Sequence, residues 1–155
     1  MIVAFIGSDH FKWGKKIMKQ SSKKITKLVK KDGARIFLFT GEGDFDLLCW
    51  IIVTGLKTRY SDIKRVFAQR KEEDNDHDRK VVDFMYEQTF LLDAVRDAGF
   101  WAPSVRNEAM LEMCDVLVTN CDLGNGQMPR IKSEAEMAVE YAQEKRVINL
   151  FSKLY

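Results

Sequence analysis

A short apolar run that ends in two closely spaced glycines is the feature that most restricts the fold of this chain. Residues 36–39 read Ile-Phe-Leu-Phe, and Thr40-Gly41-Glu42-Gly43-Asp44 follows directly. The run is typical of a buried strand, and residues 45–60 behind it carry apolar side chains at helical spacing. A strand, a glycine turn and a helix in this order predict an α/β protein with a parallel sheet.

The same turn indicates a ligand site. Glycine lets a ligand approach the backbone, and the start of a helix offers unpaired N–H groups and a partial positive charge to a phosphate. We therefore predict that Gly41 and Gly43 contact a nucleotide-like ligand. Glu42, Asp44 and Asp46 could be general bases or acceptors for ribose hydroxyls, whereas helix capping is the alternative. We favour capping for Asp44 and catalysis for Asp46.

The rest of the chain repeats the alternation of strand and helix. We predict one domain, residues 1–155, with a mainly parallel five-stranded sheet between two helical layers. Residues 70–78 are expected to form an exposed loop, and residues 91–98 could add a short helix. The other predicted strands are residues 2–6, 63–68, 115–119 and 147–150, and the predicted helices are the segment from Trp13 to Gly33 and residues 45–60, 79–87, 104–113 (with Ser104 as N-cap) and 132–145.

A parallel sheet of this kind brings the loops after its strands to one edge, where ligands bind outside the carboxyl ends. Three of these loops supply small or polar residues, and Ser133 precedes the last predicted helix. A tight turn is the alternative for the first loop. The predicted ligand contacts at this edge are Gly7, Ser8, Gly41, Glu42, Gly43, Gly124, Gly126 and Ser133.

Two further positions carry chemistry that suits a phosphorylated sugar. Arg106 and Asn107 lie near the start of a predicted helix, where a guanidinium could hold a phosphate through two hydrogen bonds. A surface salt bridge is the alternative. Glu140 on the last predicted helix could act on a ribosyl bond, although a solvated helix position is the more common role.

Charge and cysteine content exclude several classes. Lys and Arg total 25 against 23 acidic residues, so the net charge of +2 indicates neither a nucleic-acid-binding nor a membrane-binding protein. The lysines crowded between residues 15 and 31 read as a solvated helix face, because no aromatic side chains are interleaved with them. Cys49 and Cys114 are expected to be buried thiols in a reducing compartment. With no signal-peptide core and no span-length apolar run, we expect a cytoplasmic protein.

Several common site motifs are missing from the sequence. It has neither G-x-G-x-x-G nor G-x-x-x-x-G-K-[ST], which disfavours a dinucleotide fold of the first type and a P-loop NTPase. His10 and His77 are the only histidines, so no zinc site is predicted, and no nucleophile elbow is present. We expect no metal ion or other cofactor.

Four segments together resemble the SLOG superfamily. They are the first strand ending in Gly-Ser, then F-T-G-E-G-D-F-D, V-R-N-E-A-M-L-E-M-C-D-V-L-V-T-N and A-V-E-Y-A-Q-E-K-R-V-I-N-L. This Rossmann-like group includes the lonely-guy phosphoribohydrolases and the DNA-processing protein A family. The chain looks most like a small bacterial branch of the group, and the resemblance spans nearly its whole length.

The resemblance implies a nucleotide-derived ligand at the strand carboxyl ends and a homodimer or larger homo-oligomer. Gly41 and Gly43 match the family's glycine loop after the second strand, and Arg106 matches the arginine that serves substrate binding or catalysis. The enzymes carry a P-G-G-x-G-T loop before the last helix. Here Glu134 and Ala135 stand where related small proteins have Gly-Thr, which argues against phosphate binding there and against hydrolase activity.

Three functions follow as expectations. The first is binding of a nucleotide or nucleotide-derived small molecule, with or without turnover. The second is an N-glycosidic hydrolase or transferase that uses Glu140 or Asp46 together with Arg106. The third is a nucleic-acid-associated protein, which only the lysine-rich segment supports. A protein-interaction role is a further alternative, because Phe100, Trp101 and residues 151–155 could cover a subunit contact.

Overall fold

A computed structural model describes residues 1–8, 11–121, 134–142 and 145–150. Its helices and strands alternate along the chain, as the sequence predicts. Several sequence predictions fall outside the described ranges: those for His10, Gly124, Gly126 and Ser133, and the subunit contact predicted for residues 151–155.

Within the described ranges, six parallel strands form one sheet in the order β4-β3-β2-β1-β5-β6. This sheet confirms the prediction of an α/β fold with parallel strands, and the fold is consistent with a Rossmann-like arrangement. The predicted count of five strands is wrong. The strands are β1 (Ile2–Phe5), β2 (Ile36–Phe39), β3 (Lys64–Ala68), β4 (Gln88–Phe90), β5 (Val116–Thr119) and β6 (Arg146–Asn149).

The strand that was not predicted from the sequence is β4. It has three residues, Gln-Thr-Phe, and its first two side chains are exposed, so it shows neither an apolar run nor alternation. Its neighbour β3 defines it by pairing Val66 with Gln88 and Ala68 with Phe90. Strand pairing rather than side-chain pattern places this edge strand.

The described helices are α1 (Lys15–Lys30), α2 (Gly43–Lys57), α3 (Asp76–Met85), α4 (Asp93–Arg96), α5 (Ala102–Met113) and α6 (Glu134–Tyr141), with a 3-10 turn at Gly99–Trp101. Ser104 is not an N-cap, because α5 begins two residues earlier with Pro103 in its first turn, where the fixed φ of proline suits a helix. Asp44 also lies inside its helix, and Glu42 is the N-cap of α2.

The helices cover both faces of the sheet. Side chains such as Phe5, Phe37 and Val118 form one core with α1 and α2. Ala4 and Leu117, which point to the other face, form a second core with α5 and α6. The predicted burial of two cysteines is confirmed: Cys49 and Cys114 are 0% and 1% exposed, and both are free thiols.

The chain reverses its direction of travel across the sheet at β1. It runs from β1 through β2 and β3 to β4, and then returns to place β5 on the other side of β1. Phe5 pairs with Val118, so the carboxyl ends of β1 and β5 lie side by side. In open parallel sheets a ligand crevice forms outside the strands at such a switch point.

Two surface features bear on partners. No helix within the described ranges is both long and apolar enough to cross a bilayer. Phe84, Phe100 and Trp101 are 83%, 88% and 65% exposed, and the rings of Phe100 and Trp101 contact each other with centroids 5.3 Å apart. This exposure leaves the aromatic pair accessible to another chain.

Candidate functional site

The loop after β2, residues 40–46, is closed by hydrogen bonds to one carboxylate. We call this segment the β2 loop. Asp46, in the first turn of α2 and 5% exposed, accepts hydrogen bonds from the Thr40 N–H (2.7 Å), the Thr40 hydroxyl (3.0 Å) and the Gly41 N–H (3.1 Å). The same Thr40 hydroxyl accepts the Glu42 N–H at 3.2 Å. The β2 loop therefore satisfies its own polar groups.

Burial changes the acidity of this carboxyl group. Desolvation raises the pKa of Asp46 to about 7, while hydrogen bonds from Thr40 and Gly41 and the charge of Arg106 act in the opposite direction. A group that titrates near neutrality can donate and accept a proton at physiological pH. Asp46 is thus both the anchor of the β2 loop and the best acid–base candidate described at this edge.

Arg106 reaches from α5 to the β2 loop and is 2% exposed. Its Nη1 lies 3.4 Å from a carboxylate oxygen of Glu42 and donates to the Thr40 carbonyl at 3.5 Å. Its Nε and Nη2 donate to Asn107 Oδ1 at 3.2 and 3.1 Å. The structure therefore unites Arg106 and Asn107 with Glu42 and the rest of the β2 loop, and Arg106 is not the surface salt bridge that the sequence left open.

Glu42 joins this buried group to the surface. Its carboxylate lies 2.8 Å from Arg70 Nε as well as 3.4 Å from Arg106 Nη1. The Glu42 and Arg70 side chains are 41% and 48% exposed. One carboxylate thus bridges a buried and an exposed guanidinium at the sheet edge.

Glycine is required at Gly7, Gly41 and Gly43 for different structural reasons. A Cβ atom on Gly7 would overlap the Phe45 ring, and one on Gly41 would lie 2.5 Å from the Phe67 ring. Gly43 has open space around it, but its φ of +83° disfavours other residues. Gly41 and Gly43 are nevertheless exposed at the edge, so their backbone is open to a ligand.

A different polar arrangement occurs at the carboxyl end of β5, residues 119–121, which we call the β5 end. Thr119 and Asn120 are 0% and 5% exposed, and within the described part of the chain Thr119 Oγ1 and Asn120 Oδ1 have no hydrogen-bond partner. The backbone is held firmly: Asn149 Oδ1 accepts the Cys121 N–H at 3.2 Å, and Asn149 Nδ2 donates to the Cys121 carbonyl at 2.8 Å. The β5 end is therefore a fixed segment with unmet hydrogen-bonding capacity.

This pair of residues was not predicted as part of the site. The only sequence signal was a Thr-Asn step after the apolar run Val116–Val118, and many strands end in polar residues. The structure makes the pair notable by burying it beside the end of β1, where the half-buried Ser8 also lies.

Glu140 is not brought to this edge. It is exposed at the seventh of the eight residues of α6, and a crossover helix ends near the amino edge of the sheet. Lys145, beyond the end of α6, agrees with that direction by donating to the Cys114 carbonyl at 2.7 Å, two residues before β5 begins. Glu140 and Asp46 thus belong to opposite ends of the domain.

The described ranges contain no cluster of three or more His, Cys, Asp or Glu side chains suited to a metal ion. No protein-family model matches this chain, and no curated protein matches it. The geometry of the carboxyl edge therefore carries the functional argument.

Proposed function

We propose that the protein binds a nucleotide or nucleotide-derived small molecule in the crevice between the carboxyl ends of β1 and β5, as a member of the SLOG superfamily. The observation that carries the proposal is a pair of buried oxygens at the β5 end, Thr119 Oγ1 and Asn120 Oδ1, that have no hydrogen-bond partner among the described residues. Each buried polar atom left unpaired costs about 1–3 kcal/mol. Both atoms are closed to solvent in this structure, so a ligand recovers that free energy only by replacing the groups that cover them.

The surrounding groups match the chemistry of a nucleotide. A hydroxyl and an amide can recognise ribose hydroxyls or the edge of a base, and Ser8 offers a third polar group after β1. Arg106 adds a buried guanidinium behind the β2 loop.

Thermal-shift and calorimetric titrations with nucleoside monophosphates, diphosphates and ADP-ribose test the proposal. We expect at least one of these compounds to raise the unfolding temperature, because a ligand of the native state stabilises it by mass action. Thr119→Val should then weaken that ligand up to about tenfold, which corresponds to one lost hydrogen bond.

Ser21→Ala is the matched control, because Ser21 Oγ is also buried and without a hydrogen-bond partner among the described residues but lies in the middle of α1. It should leave the affinity unchanged. No shift with any of the compounds, or equal weakening by both substitutions, would contradict the proposed site.

An N-glycosidic hydrolase or transferase is the second candidate, and the raised pKa of Asp46 favours it. Such an enzyme needs a proton donor for the departing base, and a carboxyl group that titrates near pH 7 fits that role. Incubation with nucleoside monophosphates should release free base, and Asp46→Asn should abolish the release while Asp44→Asn, an exposed change in the same helical turn, should not. Absence of free base with the unmodified protein would eliminate this function and leave binding without turnover.

A further inference from the structure

A cavity of about 660 Å³ lies between α1 and the end of β6. One wall consists of α1, and Asn149 and Leu150 contribute the other. Because α6 packs on the opposite face of the sheet, the described helix beside this part of β6 is α1. The lysine-rich segment, which the sequence indicated as a solvated helix face, therefore lines a concave surface.

Five lysines line the cavity: Lys23, Lys24, Lys27, Lys30 and Lys31. None of them takes part in an ion pair between described residues, and no acidic residue is found among the described lining residues. From Lys23 to Lys31 the helix rises about 12 Å. A dense row of uncompensated positive charge thus follows one side of the cavity.

The type and spacing of these cations favour phosphate over carboxylate. Planar, two-bond recognition of carboxylates is the strength of arginine, whereas lysine binds phosphate as a point charge with rotatable donors. An extended acidic peptide presents carboxylates on one face only every second residue, about 7 Å apart. The phosphates of an inorganic polyphosphate share bridging oxygens and follow one another more closely than this, which suits the row of lysines better.

We propose that this cavity binds a linear phosphate chain, at a site separate from the nucleotide site at the carboxyl edge. The chain can be an inorganic polyphosphate or the backbone of a single-stranded nucleic acid, since the lysines recognise the phosphates common to both. Gln20 and Thr26 add neutral hydrogen-bonding groups along the same cavity. The site does not depend on the function proposed for β1 and β5.

Two triple variants with equal loss of charge on the same helix test this site. Lys23, Lys27 and Lys30 line the cavity, whereas Lys15, Lys16 and Lys19 lie on α1 outside the lining set. Each triple is changed to Gln, which has nearly the same helix propensity as Lys. Thermal unfolding should confirm that both variants retain the fold.

Binding is measured between about 50 and 200 mM salt with short-chain polyphosphate, a mixed-sequence single-stranded oligonucleotide and polyglutamate. K23Q/K27Q/K30Q should weaken phosphate-chain binding by about tenfold or more and lower the log–log salt slope by about 2. K15Q/K16Q/K19Q should change affinity by no more than about threefold, because exposed charges act weakly at a distance in salt.

The preferred phosphate probe identifies the source of the chain, and preference for either one supports the site. Equal loss in the two triple variants would overturn the proposal. Failure of the unmodified protein to bind either phosphate chain at low salt, or equally tight binding of polyglutamate, would also overturn it.

Discussion

The β2 loop and the β5 end lie at the same edge of the sheet but treat their polar groups in opposite ways. In the β2 loop, Asp46 collects three hydrogen bonds from Thr40 and Gly41. At the β5 end, Thr119 Oγ1 and Asn120 Oδ1 are buried without partners among the described residues. The hydrogen bonds of the β2 loop hold its conformation, whereas the β5 end has hydrogen-bonding capacity that no described residue uses.

This difference revises where a ligand site should be sought in such a chain. Closely spaced glycines attract attention in a sequence, yet here two of the edge glycines, Gly7 and Gly41, make room for the aromatic rings of Phe45 and Phe67. A less conspicuous Thr-Asn pair contains the unmet polar atoms. Conspicuous residues can serve the scaffold that holds a site in place.

The pH dependence of stability gives the largest expected effect and tests the β2 loop. The pKa of Asp46 is about 7 in the fold against 3.8 as its ordinary value, so the native state holds a proton that the unfolded state has lost over this range. The free energy of unfolding should therefore fall as pH rises from about 4 to about 7, by up to about 4 kcal/mol from this group. Urea unfolding across this range measures it.

Asp46→Asn should remove that fall, because an amide does not titrate, and Asp44→Asn should retain it. Glu87, whose pKa is lowered by hydrogen bonds and charge from Arg65 although burial acts against this, contributes stability that is lost as pH falls. Its contribution is present in all three proteins and cancels in the comparison. A steeper rise of stability with pH in the unmodified protein than in Asp46→Asn would contradict the role assigned to burial.

Removal of the buried guanidinium should have the next largest effect. Arg106→Met removes the buried guanidinium that donates to Asn107 Oδ1 and to the Thr40 carbonyl, so we expect a loss of about 3 kcal/mol in the free energy of unfolding. Arg70→Met removes an exposed arginine from the same Glu42 and should cost about 1 kcal/mol or less. Denaturant titration measures the free energy of unfolding of both variants. Equal losses would show that the burial of Arg106 does not set its contribution to stability.

Alanine at the two loop glycines separates backbone strain from packing. Both have positive φ, +70° at Gly41 and +83° at Gly43, but only Gly41 faces the Phe67 ring. We expect Gly43→Ala to cost about 1 kcal/mol from strain and Gly41→Ala about 2 kcal/mol or more from strain and overlap. If the free energies of unfolding of the two variants agree, the Phe67 contact has no effect.

The smallest expected effects come from matched substitutions in the β2 loop and at the β5 end. Thr40→Val removes a hydroxyl that bonds to Asp46 and should destabilise the protein by about 1 kcal/mol. Thr119→Val removes a hydroxyl without a partner among the described residues and should be neutral or slightly stabilising. Chemical denaturation without ligand measures both. A loss at Thr119 as large as that at Thr40 would mean that the β5 end is not short of partners.

Much of the architecture was accessible from local pattern. The apolar runs at β1, β2 and β5 and the helical spacing in α1 and α2 predicted parallel strands and crossover helices within a few residues of their observed bounds. The edge strand β4 was missed because three residues with two exposed side chains leave no periodic signal. The start of α5 was misplaced because Ser104 resembled a cap, whereas the helix begins at Ala102 and has Pro103 in its first turn.

The candidate site was predictable only in part, for a related reason. Residue type and strand order together indicated the carboxyl edge, the β2 loop and Arg106. The remaining features depend on groups distant in sequence, such as Phe67 and Thr40. These features are the hydrogen bonding of the Thr119 hydroxyl, the ring that Gly41 faces and the burial of Arg106.

Local chemistry in the chain thus settled the kind of fold, because hydrophobic spacing and turn residues act over a few positions. Three-dimensional packing settled which polar groups are paired, since Arg106 meets Thr40 across 66 positions of the chain. It also placed Glu140 at the far end of α6 and turned a row of lysines into the wall of a cavity. Hydrogen bonding and burial depend on distances between atoms, and only the folded chain brings those atoms together.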